Sequence, residues 1–192
     1  PILSLFDGHH VRVSVLIKTS KEAASNFQEQ LGYRLRTKDV PYKFIKYPSA
    51  DQIKLASGPL WIGPLMDKEI AGRLTEECAI QTCLPTSDEL EELIAKGLAW
   101  SDKDVEYATR EMIRSVKHIS SAADLLSRQH MLLSLNSMPR LAGTKGAPKM
   151  DDVISDLIEL GYSAARYPDM EPMFVTDASF DDVISIFRKY HY

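Results

Sequence analysis

Arg34, Arg36 and Lys38 recur at every second position just before Pro41. Three cations at that period stand on one face of an extended chain, about 6–7 Å apart at a rise of about 3.3 Å per residue. That is close to the phosphate spacing along a nucleic-acid strand, and phosphate contact dominates affinity for such polyanions. Lys43 and Lys46 continue the basic character beyond the proline. A second acid-free stretch, residues 137–149, carries Arg140, Lys145 and Lys149. The same row also fits a solvated sheet face, or an edge strand guarded by charge.

The other reactive residue types do not assemble into a site. His9 and His10 are adjacent, so on a strand they point to opposite faces and cannot chelate one metal together. His118, His130 and His191 have no companion at ligand spacing. Asp7 and Glu69 could form an acid–base pair, but no local pattern brings them together. Cys78 and Cys83 are the two cysteines. They form no CxxC, and two free thiols fit a reducing compartment. The chain contains no GxGxxG, P-loop, HExxH or GxSxG. Gly143-Thr144-Lys145-Gly146 is too short for a phosphate cradle and has no strand before it.

The chain has 192 residues, 44% hydrophobic and 26% charged, as ordinary globular proteins have. No apolar run approaches the roughly 18 residues of a membrane helix. The start, Pro1-Ile2-Leu3, fits a piece of a longer protein. The net charge of −4 argues against a nucleic-acid binder, but it is unevenly spread. Residues 1–60 hold nine Lys/Arg and five Asp/Glu, a net +4, and the remainder carries −8. A basic part joined to an acidic one is compatible with RNA contact through one surface.

The elements that must position these groups can be read from periodicity. His10–Lys18 alternates, with Val11, Val13, Val15 and Ile17 on one face, and predicts a strand buried on that side. Thr19-x-x-Glu22 predicts a capping box for a helix over 20–31, with Gly32 as its stop. Tyr33–Lys38, Tyr42–Tyr47 and Gln52–Ala56 predict three strands. Beyond Pro64 the spacing turns helical: 67–79, a Thr86-capped helix to Lys96, a Ser101-capped helix, and another over Ala122–Leu135. Residues 137–149 read as loop. A helix beginning at Met150 follows, then a hairpin from Tyr162–Tyr167 and Met173–Thr176, and a Ser179-capped helix. The fold class is α+β: a small, mostly antiparallel sheet with helical cover (residues 1–66), followed by a helical, winged-helix-like part (67–192).

Between these parts runs Gly58-Pro59-Leu60-Trp61-Ile62-Gly63-Pro64-Leu65-Met66-Asp67-Lys68-Glu69. Glycine and proline fix the path locally, and Trp61 is expected to be a buried anchor. The stretch resembles the Gly-Pro-Leu-Trp-x-Gly-Pro-Leu-x-Asp-Lys-Glu segment of the tRNA (guanine-26-N2)-dimethyltransferases. His9 and Arg12 match that family's passage out of its catalytic domain, where Gly8 and His10 depart from its Asp and Tyr. Leu31-Gly32-Tyr33 matches its Leu-Gly-Tyr. Gly161-Tyr162, Arg166 and Thr176-Asp177-Ala178 match near the end, without the family's Thr-His pair and lysine. Some members carry a zinc knuckle before the Gly-Pro-Leu-Trp segment. Here Tyr47, Ala50 and Ser57 occupy that region, so no metal is expected.

The resemblance implies transfer of methyl groups from S-adenosylmethionine to guanine N2 of tRNA. It places donor binding and catalysis in an N-terminal Rossmann-like domain that is not among these residues. The chain is then expected to have no catalytic residue and no bound cofactor of its own. Its partners would be tRNA and that catalytic domain, inside the cell and away from membranes. The implied RNA-binding residues are Arg12, Arg34, Arg36, Lys38, Lys43, Lys46, Arg140, Lys145, Lys149 and Arg166. Gly58, Pro59, Leu60, Trp61, Gly63, Pro64 and Asp67 are implied to be structural. The departures also fit a non-catalytic descendant serving as a protein- or ribosome-interaction module.

Overall fold

Small hydroxyl side chains start most of the helices. Ser20 accepts from the Ala23 amide, Ser49 from Gln52, Thr75 from Cys78, Thr86 from Glu89, Ser101 from Asp104 and Ser179 from Asp182. Each satisfies a backbone donor that a helix start leaves orphaned. The computed structural model describes residues 1–6, 11–37, 42–97, 101–128, 131–167 and 172–190.

The first part holds two separate sheets. Strand β1 (Leu3–Phe6) pairs antiparallel with β2 (Val11–Ser14). Helix α1 (Lys21–Glu29) leads to β3 (Leu31–Leu35), the central strand of a sheet in the order β4-β3-β5. β4 (Lys43–Ile45) and β5 (Ala56–Trp61) both run antiparallel to β3, and the short α2 (Ala50–Ile53) lies between them. Then come α3 (Lys68–Ala71), α4 (Glu76–Cys83), α5 (Ser87–Ala95) and the long α6 (Asp102–Leu126). The chain closes with β6 (Met131–Ser134), α7 (Met138–Ala142), α8 (Met150–Glu159), β7 (Ala164–Arg166), β8 (Met173–Thr176) and α9 (Phe180–Lys189). Their sheet has the order β6-β8-β7 and is antiparallel throughout.

The closing sheet is covered on both faces. Alternation along β8 sends Phe174 into one core, with Met138, Val153, Leu157, Val183 and Phe187 of α7, α8 and α9. Val175 enters the other, with Ile119, Ala122 and Leu126 of α6, Ala71 of α3 and Met66. Leu3 and Leu65 pack against this second core, which ties the start of the chain to its helical part. Among the described residues no helix is long and apolar enough to cross a membrane.

Several expectations are overturned. β2 ends at Ser14, and Val13, Val15 and Ile17 are exposed, Ile17 to 82%, so the run from Val13 to Ile17 is not buried on that face. The cap of α1 is Ser20, not Thr19, and Gly32 lies inside β3. Residues 52–55 do not form a strand: Ser49 and Gln52 make a capping box and the chain coils into α2. The helix expected over 67–79 is broken at Gly72, and α4 restarts on its own cap, Thr75. α6 continues without a break through Ala122 to Leu126, and the end of the expected 122–135 helix is strand β6. Residues 138–142, expected as loop, form α7. Trp61 is only half-buried and belongs to neither core.

Candidate nucleic-acid interface

The Gly-Pro-Leu-Trp segment positions the sheet against the helices. Gly58 sits in β5 with φ +154°, where a Cβ would lie 2.8 Å from the Gly32 carbonyl oxygen and 2.8 Å from the Tyr33 ring. Only glycine lets β5 approach β3 this closely. The Gly58–Pro59 peptide is cis. The Trp61 indole N–H donates to the Pro64 carbonyl at 2.8 Å, and its ring meets Phe27 at 5.9 Å between centroids. Downstream, the Leu65 amide donates to the carbonyl of Leu126 at the end of α6, and the Asp67 amide to Ile2. The Asp67 carboxylate caps α3, accepting from the amides of Glu69 and Ile70. The expected structural roles of Trp61, Pro64 and Asp67 are therefore hydrogen-bonding ones, at the seam between the two parts.

Tyr42 makes the other link across that seam. Its hydroxyl donates to the Leu132 carbonyl at 2.8 Å and accepts from the Leu132 amide at 3.0 Å, closing the free edge of β6. Burial pushes the Tyr42 phenol up, opposed by the Leu132 amide and by the positive charge of Arg34. The Arg34 guanidinium lies 4.7 Å from the Tyr42 ring centre, and that ring is 5.2 Å from Phe44. Between sheet and helices these residues line an open cleft of about 370 Å3, closed on other sides by Trp61, Leu126 and Met173.

Among the described residues, the sheet sets Arg34 and Lys43 on opposite faces. Arg34 is exposed in β3 and pairs with Phe44 of β4, so these two side chains share a face. Lys43 pairs with Leu35 and projects to the opposite face. Arg36 is exposed just past the end of β3, and Lys38 lies outside the described residues. Lys46 is ion-paired with Glu29, which raises its pKa. Arg12 is exposed on β2, opposite Leu5. At the far end, Arg140 on α7 and Lys145 and Lys149 before α8 are exposed. Arg166 donates to Asp151 through Nε at 3.1 Å and Nη2 at 2.7 Å. Lys46 and Arg166 would have to release a carboxylate before gripping a phosphate. Of the remaining motif matches, Thr176 is buried and its hydroxyl donates to the Ser163 carbonyl, while Asp177 accepts from the Ser163 amide.

No group of three His, Cys, Asp or Glu side chains among the described residues could hold a metal. Cys78 is free and exposed. His9, His10, Asp7 and Gly8 lie outside the described residues, as do His130 and His191. The sequence reading missed Tyr42 and Phe44. Their signal was present: two aromatics at period two following a basic strand across a turn, an interleaving that suits stacking beside phosphate contact.

The family model described as N2,N2-dimethylguanosine tRNA methyltransferase matches residues 1–138. The chain belongs to this family. It is 26% identical over 196 residues to the tRNA (guanine(26)-N(2))-dimethyltransferase of Haloarcula marismortui, covering 97% of this chain and 45% of that protein. The enzyme of the same name from Thermococcus kodakarensis is 24% identical over 190 residues, 98% of this chain and 42% of its own length. That of Pyrobaculum calidifontis is 33% identical over 109 residues, 56% of this chain and 28% of its own. The chain thus spans less than half the length of these relatives. The fold resembles that of Trm1 from Pyrococcus horikoshii, solved with S-adenosyl-L-methionine, at a TM-score of 0.63 and 21% identity over 96% of this chain and 42% of that one. The family segment from Gly58 to Asp67 is thus the seam between sheet and helices.

Proposed function

We propose that this chain is the tRNA-binding region of a tRNA (guanine(26)-N2)-dimethyltransferase. It would position tRNA for methylation by an S-adenosylmethionine-binding, Rossmann-like catalytic domain outside these 192 residues. The family match over residues 1–138 carries this reading. Supporting it, the relatives are more than twice as long, and the chain has no glycine-rich donor motif. The exposed apolar run at Val13, Val15, Leu16 and Ile17 suits packing against that second domain. Residues 1–66 supply most of the RNA-facing surface, and the stretch before α8 in 67–192 adds to it. Arg12, Arg34, Arg36, Lys43, Arg140, Lys145 and Lys149 supply phosphate contacts, which hold an RNA by shape and charge and not by base sequence.

The winged-helix reading of the second unit is supported by its order, α6-β6-α7-α8-β7-β8-α9, with a hairpin after the third helix. Its α8 carries Asp151, Asp152, Asp156 and Glu159 and no Lys or Arg. A helix of that charge repels a phosphate-lined groove, so this unit supports without inserting. The same acidity favours the second reading, a non-catalytic protein- or ribosome-interaction module.

Binding of tRNA to the intact chain at low salt separates the two. Arg34→Ala and Arg36→Ala should each weaken binding and lower the slope of log affinity against log salt by roughly 0.7–0.9, one phosphate contact apiece. Arg166→Ala should change the slope less, because Asp151 already neutralises that cation. Unchanged affinity and slope in the Arg34 and Arg36 variants would leave the interaction-module reading standing.

A further inference from the structure

Apart from Arg34, the cleft between the β4-β3-β5 sheet and the end of α6 has walls that do not suit phosphate gripping. Trp61 offers a ring face only, since its one polar group is engaged by Pro64. Tyr42 likewise spends its hydroxyl on Leu132. Phe44 is 38% exposed and adds a third ring. Arg34 is the charged member of the lining, and none of the described carboxylates pairs with it. The occupant that fits is flat, with apolar faces, and carries negative charge beside the exposed Arg34.

We propose that this cleft takes one unstacked nucleobase of a single-stranded RNA segment. The base stacks among Trp61, Phe44 and the Arg34–Tyr42 pair, and its backbone phosphate lies against Arg34. About 370 Å3 holds a base with its ribose and falls in the range of small-ligand sites, whereas it is too small for a docked helix. Because the walls offer few hydrogen-bonding groups, the site accepts purines and pyrimidines alike. Stacking on aromatic rings tolerates any base, since every base has a π-face. The guanidinium adds a planar stacking surface that an ammonium lacks. This inference rests on the RNA-binding reading above and adds a base contact to it.

The test uses the intact chain carrying Trp100→Phe, which leaves Trp61 as the single indole. Two probes are titrated at low salt: a short unstructured oligoribonucleotide, and an abasic oligomer of the same length and charge. The base-bearing oligomer should quench Trp61 emission and bind about tenfold tighter, the order one base–aromatic stack supplies. Phe44→Ala should erase that difference while leaving the salt slope unchanged. Arg34→Lys, which retains the charge, should likewise reduce the difference while preserving the slope. Equal binding of the two oligomers, or variants that weaken both alike, overturns the base site and leaves RNA binding intact. Absence of binding by either oligomer and by tRNA fails the RNA reading itself, and the base site with it.

Discussion

Replacing Tyr42 by Phe removes one oxygen and tests whether the sheet is held to the helical unit as described. That oxygen makes two hydrogen bonds to one residue, Leu132, at 2.8 and 3.0 Å. A net contribution of about 0.5–1.5 kcal/mol per bond gives about 1–3 kcal/mol for the pair. The open cleft beside Tyr42 admits water to the abandoned Leu132 groups, so the lower part of that range, about 1–2 kcal/mol, is expected. At this chain length such a loss lowers Tm by about 2–8 °C. Tyr42→Leu should cost about 0.5–1 kcal/mol more, since it also removes the Arg34 contact. Above pH 10 there is a second signature. Burial raises the folded-state pKa of Tyr42 above its unfolded value, so the neutral phenol stabilises below that value and the benefit is lost as pH rises through the folded pKa. The Phe variant should therefore lose less stability than wild type at alkaline pH. Urea denaturation at pH 7 and at pH 10–11 reads both effects. A denaturation midpoint and alkaline slope identical to wild type would show that Tyr42 does not join the two units.

Two further outcomes can be read by denaturation alone. Gly58→Ala should destabilise by about 1–3 kcal/mol, because its methyl collides with the backbone of Gly32 and the ring of Tyr33; a neutral effect would place β5 farther from β3. His118 is half-buried, and burial, then Arg166 and Arg114, hold its pKa below the ordinary value near 6.5, against the opposing pull of Asp151. A depressed folded-state pKa means its stabilising contribution is complete above the unfolded value and is lost as pH falls toward the folded one. His118→Gln should flatten the fall of stability as pH drops below the ordinary value near 6.5, and parallel profiles would refute it.

Helix starts were legible because a hydroxyl followed three residues later by Glu or Asp is a local, reciprocal hydrogen-bonding pattern, as at Thr86 and Ser101. Ser49-x-x-Gln52 is the same signal, and the strand-like period of Gln52–Ala56 hides it. What remained hidden depended on distant partners. Met131–Ser134 is a short apolar run whose period cannot separate helix from strand; pairing with β8 decides it. Gly32 looks like a helix stop until Ile62 and the Ile45 carbonyl are seen to press on it in the sheet. Trp61 has the composition of a core anchor, but the cleft that leaves it half-exposed is formed by β3, β4 and α6, which local spacing does not place. The basic residues on either side of Pro41 could not be assigned to faces from spacing alone; register sends Lys43 to the face away from Arg34.

On the proposed reading, the uneven charge becomes intelligible through the fold. The net +4 of residues 1–60 lies in the part where the sheet presents Arg34 beside rings, and the −8 of the remainder includes the acidic α8. A phosphate backbone approaching the α8 face would meet Asp152 and Glu159, with Asp151 and Asp156 already held by Arg166 and Lys189. One approaching the cleft would meet Arg34 and exposed aromatic surface. Repulsion at one face and attraction at the other orient a polyanion before any contact forms. A chain of net charge −4 can thus bind RNA in a single orientation. The acidic unit's core, through Leu126 and Leu132, ties the thinly buried basic sheet in place by hydrogen bonds to Leu65 and Tyr42.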